Sequence, residues 1–172
     1  MPLVLAAMAL MAGCAATSRT GADLETLNKT VGAPKAGRAR VFVLREPGYG
    51  GIGDTGWEIH VDGAPIGALK TGTFVYRDLP AGRRQLSFAP PGHLARASHY
   101  ELAAVPGRTY YFRLEMNDKG KMINAGAALG GLSGYFLASA IADGSDERGV
   151  YDFIPMEDAA ARTAMAELRL AE

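Results

Sequence analysis

The chain has 172 residues, 48% of them hydrophobic and 21% charged, with 18 basic and 18 acidic side chains, the composition of one globular domain with a core of its own. Balanced charge excludes the basic stripe that phosphate backbones require, so no nucleic-acid partner is expected. One cysteine excludes an intramolecular disulfide and any Cys-rich zinc site, and three histidines leave little for a histidine metal centre, so neither a metal nor another cofactor is expected.

Leu3 to Ala12 is an uninterrupted apolar run of about ten residues, the length of a signal-peptide hydrophobic region and too short to cross a bilayer as a helix. It ends in Met11-Ala12-Gly13-Cys14, where the only cysteine follows two small residues. This segment resembles a bacterial lipobox, with Met11 in place of the usual Leu and no Lys or Arg before Cys14. The resemblance implies a signal peptide over residues 1–13, removed on maturation, and a Cys14 carrying fatty chains such as palmitate on its sulfur and new amino group. Several chains on one residue anchor durably, because each buried methylene contributes about 0.8 kcal/mol and a single chain is marginal. Ala15 rather than Asp after the cysteine favours, in similar lipoproteins, the outer membrane and a periplasm-facing body. The alternative is that Cys14 is an ordinary small residue in a processed leader. Residues 14–37 read as a tether, broken by Gly21, Gly32, Pro34 and Gly37, with one helical turn around Leu24 to Asn28.

From Arg38 the pattern becomes short strands separated by turn signals, which predicts a small antiparallel β-sandwich. Arg40 to Leu44 is apolar on both faces and reads as a central strand. Trp57, Ile59 and Val61 alternate with Glu58, His60 and Asp62, placing one face in a core and the other in water. Asp62-Gly63 is a tight-turn signal into Ile66 to Lys70, and Thr73 to Arg77 sets Phe74 and Tyr76 on one side of the next strand. Asp78-Leu79-Pro80-Ala81-Gly82 reads as a turn into Arg83 to Ala89. His99 to Val105 and Arg108 to Met116 are expected to pair across Pro106-Gly107, and Val150 to Ile154 makes a last strand. A helix over residues 157–170 closes the chain, with Ala161, Ala164, Met165 and Leu168 as its apolar stripe. The pairs Arg38/Arg40 and Arg83/Arg84 read as solvated strand edges, with anionic lipid or cell-wall polymer as an alternative contact.

The run Ile59-His60-Val61-Asp62-Gly63-Ala64-Pro65-Ile66-Gly67, followed by Asp78-Leu79-Pro80-Ala81-Gly82, resembles the DUF2846 lipoprotein domains and, through the same turns, PEGA and transthyretin-like modules. The likeness spans roughly residues 38–116 of a domain running 38–172 and implies a fold and an envelope address. The family has no established biochemical activity, so no catalytic residues carry over, and residues 117–149 stand outside the compact module as an insertion.

Within that insertion no charged residue lies between Lys121 and Asp143, a stretch long enough to span a hydrocarbon layer. Gly126, Gly130 and Gly134 recur every fourth residue and are followed by Ala138, so one helix face is a groove of small residues that admits another helix. Three arrangements remain open: a glycine-zipper helix that inserts in a membrane or self-associates, a Gly-rich helix or helical hairpin lying on the sheets, and a loop.

Gly48-Tyr49-Gly50-Gly51-Ile52-Gly53 spells GxGxxG, but Asp54-Thr55-Gly56 leads into a strand rather than the helix a pyrophosphate needs, so it reads as a hairpin loop with Tyr49 at a binding surface. Glu58, His60 and Asp62 lie about 6.6 to 6.8 Å apart in successive pairs on one strand face, a spacing for a metal or acid/base site or for a plain solvated face. No serine sits in a GxSxG elbow. The expectation is a non-enzymatic, lipid-anchored module that binds or braces another envelope protein or a cell-wall component through Tyr49, Trp57, Glu58, His60 and Asp62. A membrane-inserting or self-associating lipoprotein, using residues 122–142 and forming a homo-oligomer, is the second reading. A metal-dependent hydrolase using Glu58, His60 and Asp62 is the third.

Overall fold

A computed structural model describes residues 22–47, 56–88, 96–143 and 149–171. The proposed leader, Cys14, the loop with Tyr49, and His93 lie outside the described residues.

Among the described residues nine strands form two sheets. β1 (Arg38–Arg45), β4 (Thr73–Pro80), β7 (Thr109–Met116), β8 (Tyr151–Met156) and the short β9 (Arg169–Leu170) make one sheet in the order β8-β7-β1-β4-β9. β2 (Trp57–Val61), β3 (Ala64–Leu69), β5 (Gly82–Phe88) and β6 (Ser98–Ala104) make the other, in the order β3-β2-β5-β6. Two pairings, β1 with β7 and β4 with β9, are parallel, so the sheets are not the purely antiparallel pair that the strand pattern predicts.

β1 is central, as a strand apolar on both faces must be. Its Ala39, Val41 and Val43 face a core shared with Ile59, Leu69, Leu86 and Phe88 of the second sheet. Phe42 and Leu44 face the opposite way, into a smaller core closed by helices. One of these is α1 (Ala22–Val31), which presses Leu24 and Leu27 onto that face. The stretch expected to be tether is therefore folded from residue 22, because two apolar side chains three positions apart share one helix face and find a sheet to cover. The other is α3 (Asp158–Met165), whose Ala161 and Met165 are fully buried.

The C-terminal helix is shorter than the expected 157–170. After Met165 the chain turns, buries Leu168 and runs as β9 beside β4, with Arg169 N donating to Gly72 O and Ala171 N to Phe74 O. An open edge of β4 satisfies these backbone groups, and the terminal residues take strand geometry there rather than extend the helix.

The turns at Pro80-Ala81-Gly82 and Pro106-Gly107 both occur where expected, but neither closes a hairpin. Each carries the chain from one sheet to the other. β5 pairs with β2 and β6, while β4 pairs with β1 and β9. The expected pairing of 99–105 with 108–116 is absent: β6 lies on β5, and β7 lies between β1 and β8. The second corner is locked by Tyr110, whose hydroxyl donates to Ala103 O and accepts from Val105 N, each at 3.0 Å. Gly107 N donates to Arg38 O at 2.7 Å, which sets β7 beside the start of β1. Between β7 and β8 stands α2 (Asp118–Asp143).

Candidate functional site

Alternation along β2 divides the predicted site residues between wall and surface. Trp57 packs with ring centroids 5.0 Å from Phe88 and 4.9 Å from Tyr151, and the Arg45 guanidinium stands 3.6 Å above its ring. A cation over an indole face is attracted by the ring quadrupole, so Arg45 and Trp57 hold each other although they come from different sheets. Glu58 and His60 share the opposite face, with His60 Nε2 3.5 Å from Glu58 Oε2. Asp62 does not join them. It lies at the turn into β3 with a positive φ of 50°, and its carboxylate accepts hydrogen bonds from Gln85 N at 2.9 Å and Arg84 Nη1 at 3.0 Å. The Gln85 amide, then Arg84, hold the Asp62 carboxyl below its ordinary range. Among the described residues no three His, Cys, Asp or Glu side chains form a cluster that could hold a metal.

At the end of the first sheet, beside the Arg45–Trp57 stack, a cleft of about 470 Å³ opens between Arg45, Glu46, Arg113, Glu115, Lys121 and Tyr151. Arg113 bridges the two acids, with Nη2 2.9 Å from Glu115 and Nη1 3.6 Å from Glu46. The lining therefore offers donors and acceptors of both signs beside an aromatic wall, chemistry suited to polar recognition.

The root of α2 borders this cleft through Lys121 and Asn124 and is fastened by Asn117. Its amide donates to Gly149 O at 2.8 Å and to Asp152 Oδ1 at 3.1 Å, and its Oδ1 accepts from Gly120 N at 3.0 Å, capping the helix start. α2 itself is broken at Gly131, where φ 56° and ψ −140° are far from helical values. Beyond the break the chain folds back: a Cβ on Gly126 would lie 2.6 Å from Ala138 Cβ and 2.7 Å from Gly134 O. In an unbroken helix Gly126 and Gly134 would be about 12 Å apart, so this contact defines a hairpin. Each arm, about a dozen residues, rises about 18 Å, short of the roughly 30 Å needed to span hydrocarbon.

The structure thus brings Gly126, Gly134 and Ala138 together within one chain, while Gly130 has nothing within 4 Å of its Cβ position and stands apart from that contact. Only Gly and Ala permit backbones so close. Ile123 near the root is buried, but the large apolar side chains nearer the break are exposed, Leu129 and Leu132 on either side of it at 91% and 77%.

Two arginines expected at solvated edges have structural partners. Arg40 is 3% exposed, its Nε 2.6 Å and Nη2 2.9 Å from the two Asp78 oxygens, while Nη1 donates to Gly32 O at 2.6 Å and so ties the end of α1 to the sheet. Arg84 donates to Pro80 O at 3.0 Å and Ala81 O at 2.8 Å, bracing the first corner while it binds Asp62. The acidic partners, Asp78 and Asp62, are distant in sequence and nothing local marks them, whereas the Pro80 and Ala81 carbonyls lie within four residues of Arg84. The break in α2 did carry a signal: Gly130-Gly131 is a doublet of turn residues inside an apolar run. No family model and no curated protein matches this chain.

Proposed function

We propose that the chain is a lipid-anchored, non-enzymatic module of the bacterial envelope, facing the periplasm from the outer membrane and holding another envelope protein or a cell-wall component. The observation that carries this reading is the position of the only cysteine, Cys14, directly after an apolar run of signal-peptide length. The two sheets sharing a core of Val41, Val43, Ile59 and Leu86 support assignment of the body to the β-sandwiches of the transthyretin and PEGA kind, in line with the likeness to DUF2846 domains. The cleft beside the Arg45–Trp57 stack, with its mixed charges, is the favoured contact surface, and exposed Glu58 and half-buried His60 on the opposite face of β2 offer a second one. The hydrolase reading has less support, because Asp62 is engaged by Arg84 and Gln85 rather than by Glu58 and His60. Self-association through the small-residue face has less support as well, because Gly126 and Gly134 already meet inside one chain.

Two measurements test this. Mass spectrometry of the mature polypeptide should find Cys14 as its first residue, heavier by its acyl groups; a bare sulfur behind an intact leader overturns the anchor. A photo-crosslinking residue at Glu58 or Glu115, in intact cells, should yield one discrete adduct. Absence of an adduct from both positions overturns the binding role.

A further inference from the structure

The cleft leaves the distal part of α2 without a task. Between Lys121 and Asp143 no side chain is charged, yet the hairpin stands out from the sheets. Among the described residues Leu129 at 91% and Leu132 at 77% are the most exposed large apolar ones, and along the second arm Phe136 at 54%, Leu137 at 65% and Ile141 at 59% are more than half exposed as well. Exposure is greatest beside the break, while near the root, where Asn117 pins the first arm, Ile123 is only 8% exposed. The apolar surface is not one stripe either: the inner sides of the arms are filled by Gly126, Gly134 and Ala138, and the outer sides carry the leucines, Phe136 and Ile141. A second copy or a folded partner covers one face of a helix, leaving the others in water. Hydrocarbon covers all of them, and an uncharged surface is the one complementary to it.

Lengths agree with that occupant. From Lys121 to Gly130 the first arm rises about 14 Å, against about 15 Å for half of a 30 Å hydrocarbon core. The chain between Cys14 and Ala22, where the described fold begins, reaches at most about 29 Å, so a lipid on Cys14 keeps the body beside the membrane surface.

We propose that the α2 hairpin inserts tip first into the lipid leaflet that holds the anchor, with Leu129 and Leu132 deepest and Lys121 at the level of the head groups. The proposal rests on the anchored reading for its nearness to that leaflet. Because the chain folds back at Gly131, each arm is too short to cross, and both arms enter and leave by the same leaflet.

The experiment uses the full-length, natively processed protein in phosphatidylethanolamine and phosphatidylglycerol vesicles whose acyl chains carry bromine. Leu129→Trp adds an indole at a position too exposed to disturb folding, and Val105→Trp places one at the 47%-exposed corner after β6. Relative to the unsubstituted protein, the added Leu129→Trp emission should shift to the blue and lose most of its intensity to bromine, while that of Val105→Trp keeps its solvent-exposed emission. Unquenched, solvent-like emission from Leu129→Trp in protein that floats with the vesicles overturns the proposal. So does a blue shift that grows with protein concentration but is indifferent to bromine, which would identify a second copy as the cover. Acyl mass on Cys14 is read separately: without it the anchored reading fails, while quenching of Leu129→Trp on added vesicles still decides the hairpin.

Discussion

β1 and α2 each contain an apolar run, Val41 to Leu44 in one and the uncharged stretch after Lys121 in the other, and they use that character in opposite ways. In β1 every large apolar side chain is covered, by the second sheet on one face and by α1 and α3 on the other, and its most deeply buried cation, Arg40, has a bidentate partner in Asp78. In α2 Gly126, Gly134 and Ala138 meet between the arms while Leu129, Leu132, Phe136, Leu137 and Ile141 are exposed, with no ion pair between Lys121 and Asp143 among the described residues. Hydrophobic content alone therefore does not identify a core. The direction in which the bulky side chains point does, and in α2 it points away from the fold.

The largest expected effect follows from this contrast. Phe112 is 2% exposed between the sheets, with its ring 4.8 Å from Tyr100 and 6.4 Å from Phe153. Phe112→Ala should cost about 3–5 kcal/mol, the transfer term plus the cavity left in a close-packed layer. Leu129→Ala should change stability by less than about 0.5 kcal/mol, as exposed substitutions do. Urea unfolding followed by circular dichroism compares the two. Equal costs would mean that the hairpin tip is packed in the body after all.

Somewhat smaller is the effect of unpairing Arg40. Asp78→Ala leaves a guanidinium buried against Tyr76 and the end of α1, and should cost about 3 kcal/mol, the low end for a broken buried pair, because Asp78 keeps some contact with water. The pH dependence has a definite sign. The Arg40 hydrogen bonds hold the Asp78 carboxyl below its ordinary value, so on acidification the unfolded chain takes up the proton first. The stability this pair contributes is complete above the ordinary Asp range and is lost as pH falls through the lower folded value. Unfolding curves across that window should be flatter for Asp78→Ala than for the natural chain. Parallel curves would mean that the pair is not formed in solution.

How far these features are legible in sequence depends on whether their causes are local. The two-sided apolar pattern of β1 and the alternation of Trp57, Ile59 and Val61 are local, and both strands form as the pattern predicts. Strand partners are not local: Pro-Gly turns serve a hairpin and a sheet-to-sheet corner equally well, so β6 and β7 read as neighbours while the Tyr110 clamp sends them to different sheets. The site divides the same way. Trp57, Glu58 and His60 are readable as successive residues of one strand, whereas the separation of Asp62 from them depends on Arg84 two strands' length away. Arg40 looks like an edge charge until Asp78 is brought beside it from the neighbouring strand.

The hairpin itself offers the finest test, because its four predicted packing residues divide into those that touch and one that does not. A side chain at Gly126 would meet Ala138 Cβ at 2.6 Å and Gly134 O at 2.7 Å, and part of that obstruction is backbone that cannot rotate away. Gly126→Leu should therefore pry the arms apart at a cost of about 1–3 kcal/mol, typical of overpacking. Since α2 meets the sheets mainly at its root, the cost should stay local. Hydrogen exchange of residues 122–142 should accelerate while that of β1 and β7 is unchanged. Gly130→Leu meets nothing within 4 Å and should leave exchange in the hairpin as it was, or slow it slightly through the better helix propensity of Leu. A continuous helix whose small-residue face packs on another molecule predicts the reverse ranking, with Gly130 at the centre of its groove and the most sensitive of the four. The order of the two glycine variants thus distinguishes a hairpin closed on itself from a zipper that needs a partner.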